Sequence, residues 1–143
     1  METIPFRIFK IENDPIELHA DLVEHDLSDV EFGFQVAFNG DFTAGIVGCK
    51  TQYLFRQKDQ IVSSLTVYCY FTIDPSYINK EVKNNALVLP KEFLRYLATI
   101  SVGTARGIQH AKTQGTILNA LVIPPINLLN LDIQDFKLEK MDQ

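Results

Sequence analysis

Along the first two-thirds of the chain apolar and polar residues alternate, the period of strands with one buried and one wet face. Ile4, Phe6 and Ile8 set the pattern, with Arg7 and Lys10 near them. Asn13-Asp14-Pro15 then supplies turn chemistry before Ile16, Leu18 and Ala20 resume it. This predicts one strand broken by a bend, or two short ones. Asp21, Glu24, Asp26, Asp29 and Glu31 crowd the next stretch with little apolar periodicity, which predicts an exposed acidic connection. Phe32, Phe34, Val36 and Phe38 share one face of the following strand, and Asn39-Gly40 favours a hairpin because both residues tolerate positive φ. A strand from about Thr43 to Phe55 and another from Ile61 to Ile73 follow, joined through Gln57-Lys58-Asp59.

The faces of these last two strands restrict their register. Ile61, Leu65, Val67, Cys69, Phe71 and Ile73 lie on one side of the later strand, with Ser64, Thr66, Tyr68, Tyr70 and Thr72 on the other. Val47, Cys49, Tyr53 and Phe55 must share the apolar side. A plain two-residue turn would place Cys49 opposite Tyr68, so an odd loop or a bulge is required, and Cys49 and Cys69 are expected as neighbours on the buried face.

Beyond Asp74-Pro75 the stretch Ser76 to Asn85 reads as irregular and polar, and then the period changes from two to 3.6. Phe93, Leu97, Ile100, Thr104, Ile108 and Ala111 follow helical spacing, Pro90 suits a first turn and Gly115 a left-handed stop. Pro90 to Gln114 is therefore the predicted long helix. On a neighbouring face Thr99, Gly103, Gly107 and Ala111 recur every four residues. Each interior glycine weakens a helix by about 1 kcal/mol relative to alanine, so close approach of another element is expected there. Leu121 to Ile126 reads as extended and ends in Pro124-Pro125. Asn127 is positioned to cap a last helix striped by Leu129, Ile133 and Phe136, with Lys140 continuing the spacing. The expected fold is α+β in one domain, residues 1–143: a four-stranded antiparallel sheet, a long helix, an extended loop and a short C-terminal helix.

Composition narrows the chemistry. With 143 residues, 46% hydrophobic and 22% charged, the chain reads as an ordinary globular domain. A net charge of −5, with its Lys and Arg scattered, lacks the basic stripe of a nucleic-acid binder. No run approaches a membrane span, and the opening METIPFRIFKIENDP carries acids where a signal peptide needs a basic end, so a cytoplasmic location is expected. Cys49 and Cys69, inside apolar strand patterns, are expected as free thiols.

His19 and His25 match no zinc spacing, and His110 suits the C-terminal end of the long helix. The glycines at Gly103 and Gly107 precede Lys112-Thr113 within a helix, the reverse of a phosphate loop. No serine has the glycines of a nucleophile elbow, and neither cysteine has an obvious histidine nearby. No catalytic residue, cofactor or metal is expected.

The order of elements resembles that of the SecB family of export chaperones. The local match runs from Leu89 to Leu131, LPKEFLRYLATISVGTARGIQHAKTQGTILNALVIPPINLLNL, which is similar to that family's first helix, connecting loop and second-helix start. Its most specific part is Ile123-Pro124-Pro125-Ile126-Asn127-Leu128, with Gly115-Thr116 ahead of it. The resemblance implies a homotetramer, a dimer of dimers with long helices packed between outer sheets. Thr99, Gly103, Gly107 and Ala111 would form the oligomer interface. It also implies apolar grooves that hold unfolded or precursor polypeptides for transfer to the motor protein SecA. By position, that groove would draw on Phe6, Ile8, Phe32, Phe34, Val36, Leu121, Ile123, Leu128 and Leu129.

One departure bears on the partner. The family's SecA contact uses acids on the outer sheet face, whereas the outward set here includes Lys50, Gln52, Arg56, Tyr68 and Tyr70. The acids of Asp21 to Glu31 are the remaining candidates for that contact. The alternative implied is a dedicated interaction subunit of the same fold, such as an antitoxin-type chaperone with one specific protein partner.

Overall fold

The computed structural model describes residues 3–140. Its elements are β1 (Phe6–Asn13), β2 (Glu17–Leu18), a 3-10 turn (Ala20–Leu22), β3 (Val30–Asp41), β4 (Ile46–Gln57), β5 (Gln60–Ile73), α1 (Pro75–Glu81), β6 (Ala86–Leu89), α2 (Lys91–Lys112), two further 3-10 turns (Ile117–Ala120 and Leu128–Asn130) and β7 (Phe136–Glu139). The main sheet is antiparallel with strand order β1-β5-β4-β3, and β2 extends the β1 edge alongside β5. It has five strands, because the bend at Asn13-Asp14-Pro15 splits the first one. A second sheet pairs β6 with β7.

Alternation carries the sheet's core face. Val47, Cys49, Tyr53 and Phe55 of β4 and Leu65, Val67, Cys69, Phe71 and Ile73 of β5 are all buried. Lys50 and Arg56 are exposed on the opposite face, where Gln52, Tyr68 and Tyr70 are half-buried. The turn at Lys58 and Asp59 is a two-residue one, with Lys58 at φ 54° and Gln57 opposite Gln60. The register is corrected by a bulge: Phe55 pairs with Ser63 and Arg56 with Ile61, which leaves Val62 as the extra residue. Val62 is fully buried and Ile61 only half-buried, so the bulge exchanges their expected positions.

As the face argument requires, Cys49 stands directly opposite Cys69. Both are buried free thiols. Ile73 N donates to Gly45 O at 2.9 Å, which marks Gly45 and Ile73 as a hydrogen-bonded pair. Alternation along the ladder passes that class to Val47/Phe71 and then Cys49/Cys69, where Cα atoms stand about 5.5 Å apart and side chains are farther apart than in the other class. Burial pushes the Cys49 thiol up to about 12 and also raises that of Cys69. Neither thiol is expected to react with a thiol-specific dye at pH 8 until urea unfolds the chain. Mass spectrometry after mild oxidation is expected to find both reduced; an intrachain disulfide would contradict the pairing class.

Four expectations are corrected. Asn39-Gly40 is not a turn: both residues lie inside β3, opposite Gly48 and Val47. The chain reverses at Asp41 to Gly45, where Asp41 Oδ1 accepts from Ala44 N at 3.2 Å and Gly45 takes φ 68°. Asn-Gly permits positive φ without requiring it, and Gly40 serves β7 instead.

Ser76 to Asn85 is also not irregular throughout. Asp74 accepts from Ser76 N at 2.8 Å and Pro75 sits in the first turn, the two start signals of the seven-residue α1.

Within α2 the buried stripe keeps Phe93 and Leu97 but turns away from the expected Ile100, Thr104, Ile108 and Ala111. Leu94, Leu97, Ala98, Ser101, Val102, Ala105 and Gln109 face the core, while Ile100, Thr104 and Ile108 are half-buried and Ala111 is exposed. Small Ala98, Ser101 and Ala105 let the helix approach the sheet closely, which a search on large apolar residues misses.

The expected C-terminal helix is a single 3-10 turn followed by a strand. Asn127 does cap, accepting from Leu129 N at 3.1 Å, but Phe136 and Leu138 then pair with Leu89 and Leu87 of β6. No helix among the described residues is long and apolar enough to cross a membrane.

Candidate functional site

Edge strand β3 presents Phe32, Phe34, Val36, Phe38 and Gly40 on its inner face, because alternate residues point the same way. Helix α2 packs over β4 and β5, and β3 lies beyond it. Phe32 rests on Phe55, ring centroids 5.1 Å apart, and Phe34 on Tyr53 at 5.3 Å. Phe34, Val36 and Phe38 remain half-buried. They form one wall of an open groove of about 470 Å³ whose other wall is Leu131, Asp132, Ile133 and Gln134.

The second wall is set by the chain that leaves α2. Arg106 donates from Nε to Ile123 O at 2.7 Å and from a guanidinium nitrogen to Pro124 O at 3.1 Å, which anchors the extended segment beneath the helix. A fork of fixed donors suits two successive carbonyls that no strand partner satisfies. Beneath the groove are Thr51 and Tyr53, the buried β4 residues paired with Val36 and Phe34. Burial raises the Tyr53 hydroxyl well above its ordinary range, which keeps it neutral.

The residues expected to line the groove are distributed over four places. Phe34 and Val36 lie in its wall, and Phe32 adjoins them on β3. Leu121, Ile123 and Leu128 are buried in the core, and Ile123 has no exposed surface. Leu129 is 72% exposed. Phe6 and Ile8 stand on β1 at the opposite sheet edge, three strand spacings or roughly 14 Å away. There Phe6 packs edge-on against Phe71, Phe93 and Tyr96 at 5.5–5.8 Å, and Ile8 is 38% exposed. Sequence reasoning missed Phe38, whose alternation with Val36 was visible, and Leu131 to Gln134, which an assumed helix had turned elsewhere.

The acidic connection is tied down by one side chain. Gln57, buried at the end of β4, accepts from Glu24 N at 2.7 Å, and the two hydrogens of its Nε2 are shared among Glu24 O, Asp26 O and Asp29 Oδ1 at 2.6–3.0 Å. Asp21, Glu24, Asp26, Asp29 and Glu31 are exposed around it. Lys58 at 2.6 Å holds the Glu24 carboxyl below the usual range, and Ser28 does the same for Asp26.

Thr99, Gly103, Gly107 and Ala111 are exposed on the far side of α2, continued by Tyr96. Among the described residues a Cβ added to Gly103 or Gly107 would meet nothing within 4 Å, so none of them accounts for those glycines. Among the described residues no group of three or more His, Cys, Asp and Glu could hold a metal ion. His110 is exposed in the last turn of α2, where its carbonyl accepts from Asn119 at 2.9 Å.

No protein-family model matches the chain, and no curated protein matches it. Among solved structures it is similar to the SecB-like chaperone Rv1957 of Mycobacterium tuberculosis, in complex with a ChAD peptide from the Rv1956 HigA1 antitoxin, with 15% sequence identity over 87% of this chain and 90% of that one, at a TM-score of 0.47.

Proposed function

We propose that the protein is a cytoplasmic chaperone that holds non-native polypeptides in the groove along β3. The observation that carries this reading is the row Phe34, Val36 and Phe38, half-buried and open to solvent beside Leu131 and Ile133. An extended client with apolar residues at alternate positions can lay one side chain per site along such a row. Each large side chain buried there contributes about 1.5–3 kcal/mol, so a few contacts bind without demanding a particular sequence.

The exposed small-residue face of α2 supports assembly into a dimer of dimers, with paired long helices covering one another. The acids of Asp21 to Glu31, held in shape by Gln57, are the surface proposed to meet SecA. The outer sheet face carries Lys50 and Arg56 instead. That same departure favours a second reading, a dedicated subunit with one protein partner.

Substoichiometric protein is expected to suppress light scattering by several unrelated denatured proteins, and the double variant Val36→Asp/Phe38→Asp is expected to lose at least tenfold in that protection. Equal protection by the variant would remove the groove from the reading. A pull-down separates the two versions: many unfolded precursors for a general chaperone, one stoichiometric protein for a dedicated subunit.

A further inference from the structure

The groove does not run the length of β3. Past Phe38 the next inner position is Gly40, and its missing side chain is replaced by residues of β7: an ideal Cβ there would collide with Leu138 Cδ1 and stand 3.2 Å from Phe136 Cε1. Leu138 is 2% exposed. The inner row of the strand is therefore completed by the protein's own C-terminal segment. Its strand part alternates apolar Phe136 and Leu138 with Lys137 and Glu139, after a tight turn in which Ile133 N donates to Leu131 O at 2.9 Å. This is the pattern that an unfolded client would offer to the same strand.

β7 has few backbone bonds and is held mainly by the burial of Leu138 and, just before it, by Asp135 Oδ1, which accepts from Lys91 N at 2.8 Å. Its strand pairing is with β6 over four residues, extended by one hydrogen bond from Lys140 N to Asn85 O at 2.9 Å. A pair of strands this short is marginal without the packing of its apolar side chains. Whatever removes Leu138 from Gly40 removes much of what holds β7 in place.

We infer that β7 is a built-in competitor for the client surface. A client that engages the whole inner row of β3 displaces Phe136 and Leu138 and lays its own apolar side chains over Gly40. This rests on the chaperone reading and adds its regulation: affinity is set by how readily β7 leaves, and the preferred ligand is an extended segment whose large apolar residues alternate over more than one groove length.

A reversible lock tests it. Val88 and Lys137 are opposite one another and exposed. The Lys140–Asn85 bond places them in the non-hydrogen-bonded class, where side chains come closest and a disulfide is best accommodated. Binding of a fluorescently labelled, permanently unfolded polypeptide would be followed by anisotropy for Val88→Cys/Lys137→Cys, oxidised and then reduced. The locked form is expected to bind at least tenfold more weakly, with recovery on reduction. Gly40→Val, whose side chain enters the space of Leu138 with its Cβ 3.2 Å from Ile46 O, is expected to bind more tightly than the unaltered protein. Equal affinity of the locked and reduced forms overturns the displacement while leaving the chaperone reading intact. If the unaltered protein, the reduced form and Gly40→Val all fail to bind the polypeptide, the chaperone reading falls and the inference falls with it.

Discussion

Phe71→Ala is expected to destabilise the fold by about 3–5 kcal/mol, the range for removing a buried aromatic side chain. Phe71 has no exposed surface and lies in β5, opposite Val47 on one side and Ile8 on the other. Its ring meets Phe6 edge-on at 5.8 Å. Strands hydrogen-bonded on both flanks cannot move inward to fill the cavity, so little of the loss is recovered. A domain of this size has roughly 5–15 kcal/mol in total, so a large part of its stability would go. The measurement is the urea midpoint by circular dichroism. Val122→Ala, at a residue 56% exposed, is the control, expected to shift it far less. A Phe71→Ala midpoint close to that of the unaltered protein would mean that β5 does not carry the core.

Gly107→Leu is expected to keep the chain folded and, in the dimer of dimers proposed above, to shift the assembly towards dimer. Within one chain the substitution is favourable: a Cβ at Gly107 meets nothing within 4 Å, and leaving glycine improves helix propensity by up to about 1 kcal/mol. Against a second helix packed on bare backbone, the added side chain overpacks and costs about 1–3 kcal/mol, which falls on association alone. The two contributions have opposite signs and appear in different measurements. Sedimentation at matched concentrations reads the second, and the melting temperature of the separated subunits reads the first. An unchanged mass with a raised melting temperature would put Gly107 in solvent and remove the proposed interface.

The residues differ in how openly they announce their roles. The faces of β3, β4 and β5 were legible because alternation is a local property, and the Cys49–Cys69 pairing followed once two apolar faces had to coincide. The bulge at Val62 could be required without being located, since several positions would restore the register equally well. Asp74-Pro75 carried the start of α1 in plain view, but a short polar helix has no apolar period to confirm it.

The C-terminal segment shows why local pattern runs out. Leu129, Ile133 and Phe136 fit a helical stripe as well as Phe136 and Leu138 fit a strand, and nothing nearby chooses between them. The choice depends on β6, some fifty residues earlier in the chain, which offers Leu87 and Leu89 as partners, and on Gly40, which leaves space for Leu138. The candidate groove inherits that dependence. Its β3 wall could be read from neighbouring residues because side-chain alternation follows from backbone geometry. Its second wall exists only where Arg106 and β6 have brought distant chain alongside, because burial and hydrogen bonding between remote segments outweigh the weak preference of a short run of residues for helix or strand.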